Sequence, residues 1–335
     1  MSADIAALVL GCEGPVLSAA ERDFFRDANP LGFILFRRNV DNPEQVRALV
    51  RDLRDSVGRH APILIDQEGG RVARLRGPHW PELPAARVVG DLTDPEQATQ
   101  AAWLQGRLLA AMLADLGIDV DCEPVADVPV PGAHDVIGDR AFTMDPDKVA
   151  RLAAAQAAGL LAGGVLPIVK HIPGHGRAFA DSHKELPVVN TVRSELEAWD
   201  FAPFKALAHL PAAMVAHVVY TDIDPQHPAS VSPTVIGDIV RGHIGFDGVL
   251  FSDDLSMQAL SGTLGQRTAA VLAAGCDVAL HCNGQMAEMR DVVAHGRPLD
   301  SDAQRRWSAA AALVANAPPT DIKAMRAEFD RLLVG

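Results

Sequence analysis

A single (β/α)8 TIM barrel of the α/β class, carrying extra C-terminal helices, is the fold this sequence predicts. Three observations lead there: eight short apolar runs recur along the 335 residues, helix-like segments separate them, and most runs end in polar or ionisable residues. The runs are ALVLGCE (7–13), GFILFR (32–37), PILIDQE (62–68), DVDCEP (119–124), VLPIVKH (165–171), AAMVAHVV (212–219), GVLFSDD (248–254) and VALHCN (278–283). Most begin continuously apolar, as parallel strands buried on both faces do. Strands alternating with helices make a parallel sheet. Eight units favour closure over the alternative, an open doubly wound sheet, and no GxGxxG follows the first run.

The N-terminal segment MSADIAALVLGCEG lacks a positive leading region and its apolar stretch is broken by Asp4 and Glu13, so it reads as a strand rather than a signal peptide. Helix starts follow at Asn42-Pro43, Asp94-Pro95, Asp145-Pro146 and Ser232-Pro233. In each, a side-chain oxygen can accept from orphan N–H groups, and proline at the first helical position loses no hydrogen bond. The Ala-rich segments read as close-packing helices. Residues 284–335 carry further helical pattern, expected to pack on the barrel exterior within one domain spanning 1–335. Long connections fall at 69–94, 124–145 and 172–191, and long loops in compact domains are often functional.

Composition narrows the function. A net charge of −13 argues against nucleic acid or an anionic membrane as partner, because both reward basic patches. No stretch is long and apolar enough to span a bilayer. The four cysteines, Cys12, Cys122, Cys276 and Cys282, form no CxxC pair or zinc-type spacing and read as free thiols of a reducing compartment, hence the cytoplasm. No cofactor or metal is expected, and the sequence leaves the oligomeric state open, a monomer being sufficient.

The strand ends locate the site. Asp66-Gln67-Glu68, Glu123, Lys170-His171, His217, Ser252-Asp253-Asp254 and His281-Cys282-Asn283 all fall where strands finish. In a (β/α)8 barrel those ends converge on one rim, where active sites form. FSDD ends a strand with two carboxylates; either could face a pocket or cap the next helix. KHIPGHGRAFADSHKELP (170–187) brings Lys170, His171, His175, Asp181 and His183 close together, and Pro173 stops the ladder. Asp181 and His183 can pair, which would fix the imidazole tautomer and raise its basicity. Arg74 and Arg140, after the third and fourth runs, could clamp a polar substrate with their forks of donors or merely brace loops.

Taken together, IDQEGGRVARL (65–75), KHIPGHG (170–176), DSHKELP (181–187) and FSDDLSM (251–257) resemble glycoside hydrolase family 3, and within it the single-domain bacterial β-N-acetylglucosaminidases. GFILFRRNVDNPEQV (32–46) and MVAHVVY (214–220) match in the same order, so the resemblance covers about 7–285. It implies a retaining exo-acting hydrolase that removes terminal N-acetylglucosamine from peptidoglycan fragments. It also implies roles: Asp253 as nucleophile, His183 as general acid/base with Asp181 as its partner, and Asp66, Arg74, Arg140, Lys170 and His171 as substrate-binding residues. The chain departs from the family pattern at Ile172, where Phe is frequent, and at Cys122, where other small residues are common. Three rivals remain in view: a metal-dependent barrel hydrolase using the histidines, a non-catalytic glycan binder, and a same-family phosphorylase.

Overall fold

The computed structural model describes residues 4–178, 182, 185–314 and 321–334. Strand β1 (Ala6–Gly11) pairs in parallel with β2 (Pro30–Leu35), and the ladder continues through β3 (Ile63–Ile65) and β4 (Val120–Asp121) to β5 (Leu166–Pro167). From β1 in the other direction come β11 (Val278–His281), β10 (Val249–Asp254), β8 (Ala212–Val215) and β6 (Val169–Ile172), again all parallel. The two ends of this ladder, β5 and β6, flank the single residue Ile168. Its N–H donates to Asp121 O at 2.9 Å, and Lys170 N donates to Pro124 O at 3.0 Å, so the ring closes. The run predicted at 165–171 is therefore one barrel strand with a break, where Pro167 has no N–H to offer the ladder. Eight runs account for the barrel, as the pattern predicts.

The run at 212–219 departs from expectation. The barrel strand is Ala212–Val215, with Ala216 N still donating to Ile172 O at 2.9 Å; β9 (Val219–Tyr220) pairs instead with β7 (Val188–Val189) in a separate two-stranded parallel sheet. The chain leaves the barrel wall because Ala216 and Val218 pair with the 228–231 turn: Ser230 N donates to Ala216 O (3.2 Å) and Ala229 N to Val218 O (2.8 Å).

All four helix starts form as the cap chemistry requires. Asn42 accepts from Gln45 N before Pro43–Val57, Asp94 from Glu96 and Gln97 N before Pro95–Ala114, and Asp145 from Asp147 and Lys148 N before Pro146–Ala162. Ser232 Oγ accepts from Val235 N, but the helix it starts continues as a wide π-type helix, Val235–His243. The Ala-rich pair Pro95–Ala114 and Pro146–Ala162 touch backbone to backbone. A Cβ on Gly106 would stand 2.2 Å from Gln156 O, and one on Gly159 would stand 2.2 Å from Trp103 O. Past β11, helices Met286–His295, Ser301–Ala311 and Ile322–Val334 pack outside the barrel. The last buries Phe329 and Leu332 and receives a hydrogen bond from Gln97 Nε2 at Leu332 O.

The buried apolar side chains form one continuous cluster from the barrel interior into the helix layer. A separate small cluster, Val125, Ile137 and Ala141, lies under the 124–145 connection. Among the described residues no helix is long and apolar enough to cross a membrane.

Candidate active site

At the rim where the strands end lies a cavity of about 230 Å³. The third strand run delivers two carboxylates to it by simple alternation: Asp66 and Glu68 face the cavity, while Gln67 between them folds the next turn. Gln67 Oε1 accepts from Arg74 N (2.8 Å) and Leu75 N (2.9 Å), and its Nε2 donates to Leu75 O (3.1 Å). That closed turn returns Arg74 to the cavity, where its Nη2 meets Asp66 Oδ2 at 2.9 Å and its guanidinium stacks over Phe36. Lys170, fully buried on β6, bridges Asp66 Oδ1 (3.0 Å) and Glu68 Oε1 (2.6 Å). Arg140 holds Glu68 by both oxygens, each at 2.8 Å.

The site residues thus form one alternating chain, Arg74–Asp66–Lys170–Glu68–Arg140. Burial works against every charge in it, but the partners outweigh burial. Lys170 and then Arg74 pull the Asp66 carboxyl far below the usual carboxylate range. Arg140 and then Lys170 hold Glu68 down to about 2. Asp66 and Glu68 keep Lys170 charged above its ordinary range. The ion pairs hold donors and acceptors fixed in place beside the cavity, where they can hydrogen-bond a polar substrate.

His171 is set by Asp127, a buried residue that receives His171 Nδ1 at 2.6 Å and the backbone N–H of His175 at 2.6 Å. Burial favours the neutral acid, but His171 overcomes it and lowers the Asp127 pKa. The Nδ1 contact leaves the Nε2 edge of the His171 ring clear of Asp127. His175 also borders the cavity, with Nε2 3.3 Å from Ser182 Oγ. Burial and the neighbouring His171 lower its pKa to about 4, so the ring is neutral at physiological pH.

The FSDD pair divides its work. Between Phe251 and Asp254 the β10–β11 register shifts, and such an irregularity re-aims a side chain. Asp253 lines the cavity and is 6% exposed. Asp254 touches the same wall but its oxygens are bound: Oδ1 accepts from Ser256 N (3.0 Å) and Cys282 N (3.1 Å), Oδ2 from Ser256 Oγ (2.5 Å). It ties the turn after β10 to the end of β11 and caps no helix, since Thr263 caps the next one. Ser252 Oγ accepts from Leu280 N at 3.0 Å and is likewise structural.

Not every polar strand end reaches the cavity. His217 is buried against Ser230 Oγ (2.6 Å) and Asp254 O (3.1 Å). His281 faces Glu288. Glu123 is fully buried, absent from the cavity lining, and pushed well above the usual carboxylate range by burial and then by Glu68. Asp181 and His183 lie outside the described residues; Ser182, between them in sequence, lines the cavity. Two residues with site contacts escaped the sequence reading of roles. Glu68 carried a usable signal, its two-residue spacing from Asp66. Asp127, in a loop of prolines and valines, carried none. The rest of the cavity wall is apolar and includes Ile34, Phe36, Val72, Val136, Ile137 and Met257. No group of three or more His, Cys, Asp or Glu among the described residues is arranged to hold a metal ion.

A closed parallel barrel whose strand-end rim sets carboxylates and paired cations around one cavity is the architecture of a barrel enzyme with a polar substrate site. The model of the glycosyl hydrolase family 3 N-terminal domain matches residues 14–313, and the chain belongs to that family. A β-hexosaminidase of Alkalilimnicola ehrlichii is 40% identical over 93% of this chain and 97% of its own length. One of Chromobacterium violaceum is 45% identical over 81% of this chain and 76% of its own. Among solved structures, NagZ from Neisseria gonorrhoeae in complex with N-trifluoroacetyl-D-glucosamine superposes with a TM-score of 0.86 at 34% identity, covering 99% of this chain and 98% of that one. The family makes the chain a glycoside hydrolase, and its relatives support β-N-acetylhexosaminidase activity.

Proposed function

We propose that the protein is a cytoplasmic, retaining exo-β-N-acetylglucosaminidase of cell-wall recycling. It removes the terminal non-reducing N-acetylglucosamine from peptidoglycan fragments such as N-acetylglucosaminyl-1,6-anhydro-N-acetylmuramic acid, with or without peptide. The observation that carries the reading is Asp253 at the wall of the cavity that the Arg74–Asp66–Lys170–Glu68–Arg140 chain also lines. Occupation of a relative's structure by an N-acylated glucosamine supports the sugar. Four free, buried thiols suit a reducing compartment.

In this mechanism Asp253 attacks the anomeric carbon as the bond to the leaving oxygen breaks, giving a glycosyl ester. His183, protonated, transfers its proton to the leaving oxygen. Water then attacks the anomeric carbon, His183 takes the water's proton, and the ester bond breaks to free Asp253. An imidazole suits both steps because its unperturbed pKa, about 6.5, already lies near neutrality. Ser182 at the cavity wall supports a part for its sequence neighbours Asp181 and His183. Asp66, Arg74, Arg140, Lys170 and His171 bind the sugar.

Exposure to a fluorinated N-acetylglucosaminyl donor followed by peptide mass spectrometry tests the nucleophile. A sugar adduct on Asp253 is expected; an adduct on another residue, or inverted product by proton NMR, defeats the reading. His183→Ala is expected to slow substrates with poor leaving groups about 100-fold or more beyond its effect on activated aryl glycosides, which need little protonation. Equal losses on both substrates would remove His183 as the acid.

A further inference from the structure

The cavity wall formed by Val136 and Ile137 stands on a loop with no strand to hold it. Arginines hold most of the carbonyls of this segment. Arg71 Nη2 lies 2.5 Å from Asp135 O, 3.1 Å from Val136 O and 3.0 Å from Ile137 O. Its Nε meets Asp139 Oδ1 at 2.9 Å and its Nη1 lies 3.6 Å from Asp135 Oδ2. One guanidinium thus gathers three successive carbonyls and two carboxylates. Arg140 Nη1 adds a bond to Val136 O at 3.1 Å, and Arg87 reaches Ala141 O and Gly138 O at 3.3 and 3.5 Å.

Arg71 is brought there by the turn that also builds the site. Gly69 and Gly70 have φ of 97° and 55°, and side chains at these positions would collide with Pro84 O and Ala85 Cβ. Glu68 N donates to Val72 O at 2.9 Å, closing the reversal. Glu68 and Val72 border the cavity, whereas Arg71 does not and reaches the 135–139 segment instead. The turn after β3 and the loop after β4 are therefore joined twice, by the Glu68–Arg140 pair at the cavity and by Arg71 behind it.

We infer that Arg71 is a positioning residue for substrate binding, holding the Val136–Ile137 wall and the root of Arg140 against the sugar without touching it. The inference rests on the reading of this cavity as the sugar site. Lysine keeps the charge but cannot span carbonyls and carboxylates with one planar fork.

Steady-state hydrolysis of an aryl N-acetylglucosaminide by Arg71→Ala and Arg71→Lys tests it, with Ile137→Ala made alone and in the Arg71→Ala background. Arg71→Ala should raise KM about tenfold while kcat stays within about threefold, with Arg71→Lys intermediate. Once Arg71 is gone, Ile137→Ala should add less than about half of its own effect on KM, because both changes release one wall. An unchanged KM, a fall in kcat alone, or full additivity of the two substitutions overturns the inference. If the alanine variant does not fold, the lysine variant carries the same KM-against-kcat split. Asp253→Ala, assayed in parallel, separates the two readings: activity surviving there sinks the proposed mechanism at this cavity, while a dead Asp253→Ala with an unchanged Arg71→Ala sinks only the clamp.

Discussion

Asp253→Ala loses turnover of every β-N-acetylglucosaminide, good or poor leaving group alike, with kcat down by about 10⁴-fold or more. The size follows from what the side chain does. A nucleophile that forms the covalent intermediate has no substitute, since a water in its place would have to attack with neither activation nor alignment. The position is also specific. The β10–β11 register shifts beside Asp253, which lines the cavity, while the carboxylate of the adjacent Asp254 accepts from Ser256 and the Cys282 N–H. Kinetics on two substrates of different leaving-group ability decide the matter. Retention of more than about a hundredth of wild-type kcat on either would show that another group attacks.

Glu68→Ala is expected to damage both stability and binding. Its carboxylate is buried and is shared by Arg140, at 2.8 Å to each oxygen, and by Lys170 at 2.6 Å. Removing it leaves two neighbouring buried cations with only Asp66 to answer Lys170, and breaking a buried pair from one side costs roughly 3–5 kcal/mol. Thermal melting at neutral pH should fall by several degrees, and KM should rise because Arg140 and Lys170 lose their common anchor. The pH dependence has a definite sign. The folded pKa of Glu68 is depressed to about 2 from an ordinary 4.5. Its contribution to stability is therefore present above about pH 4.5 and is lost as pH falls toward 2. Wild-type melting should drop through that window, and Glu68→Gln, which cannot ionise, should show a shallower drop from a lower starting point. Identical melting of Glu68→Ala and wild type at pH 7 would show that the pair contributes nothing.

Much of this architecture is legible from local residues. Asn42, Asp94, Asp145 and Ser232 each accept the hydrogen bonds that their spacing promises. The apolar runs find the strands because a strand buried on both faces has few residue types open to it. Asp66, Lys170, His171 and Asp253 are recognisable at strand ends, since a barrel gathers those ends on one rim whatever the details. The same logic overreaches at Glu123, His217 and His281. A strand end says which layer a residue occupies but not whether its side chain looks into the cavity or is buried against a neighbour.

Strand positions and cap chemistry were settled by near neighbours in the chain, because hydrogen-bond geometry and burial period act over a few residues. Partner choice was not. That Glu68 holds Arg140 72 positions away, that Asp127 orients His171 from 44 away, and that Arg71 gathers the carbonyls of 135–137, emerged only with the closed barrel. Such pairs join loops after different strands, and the strength of a buried charge pair depends on distance and desolvation, which exist only once those loops are packed against each other.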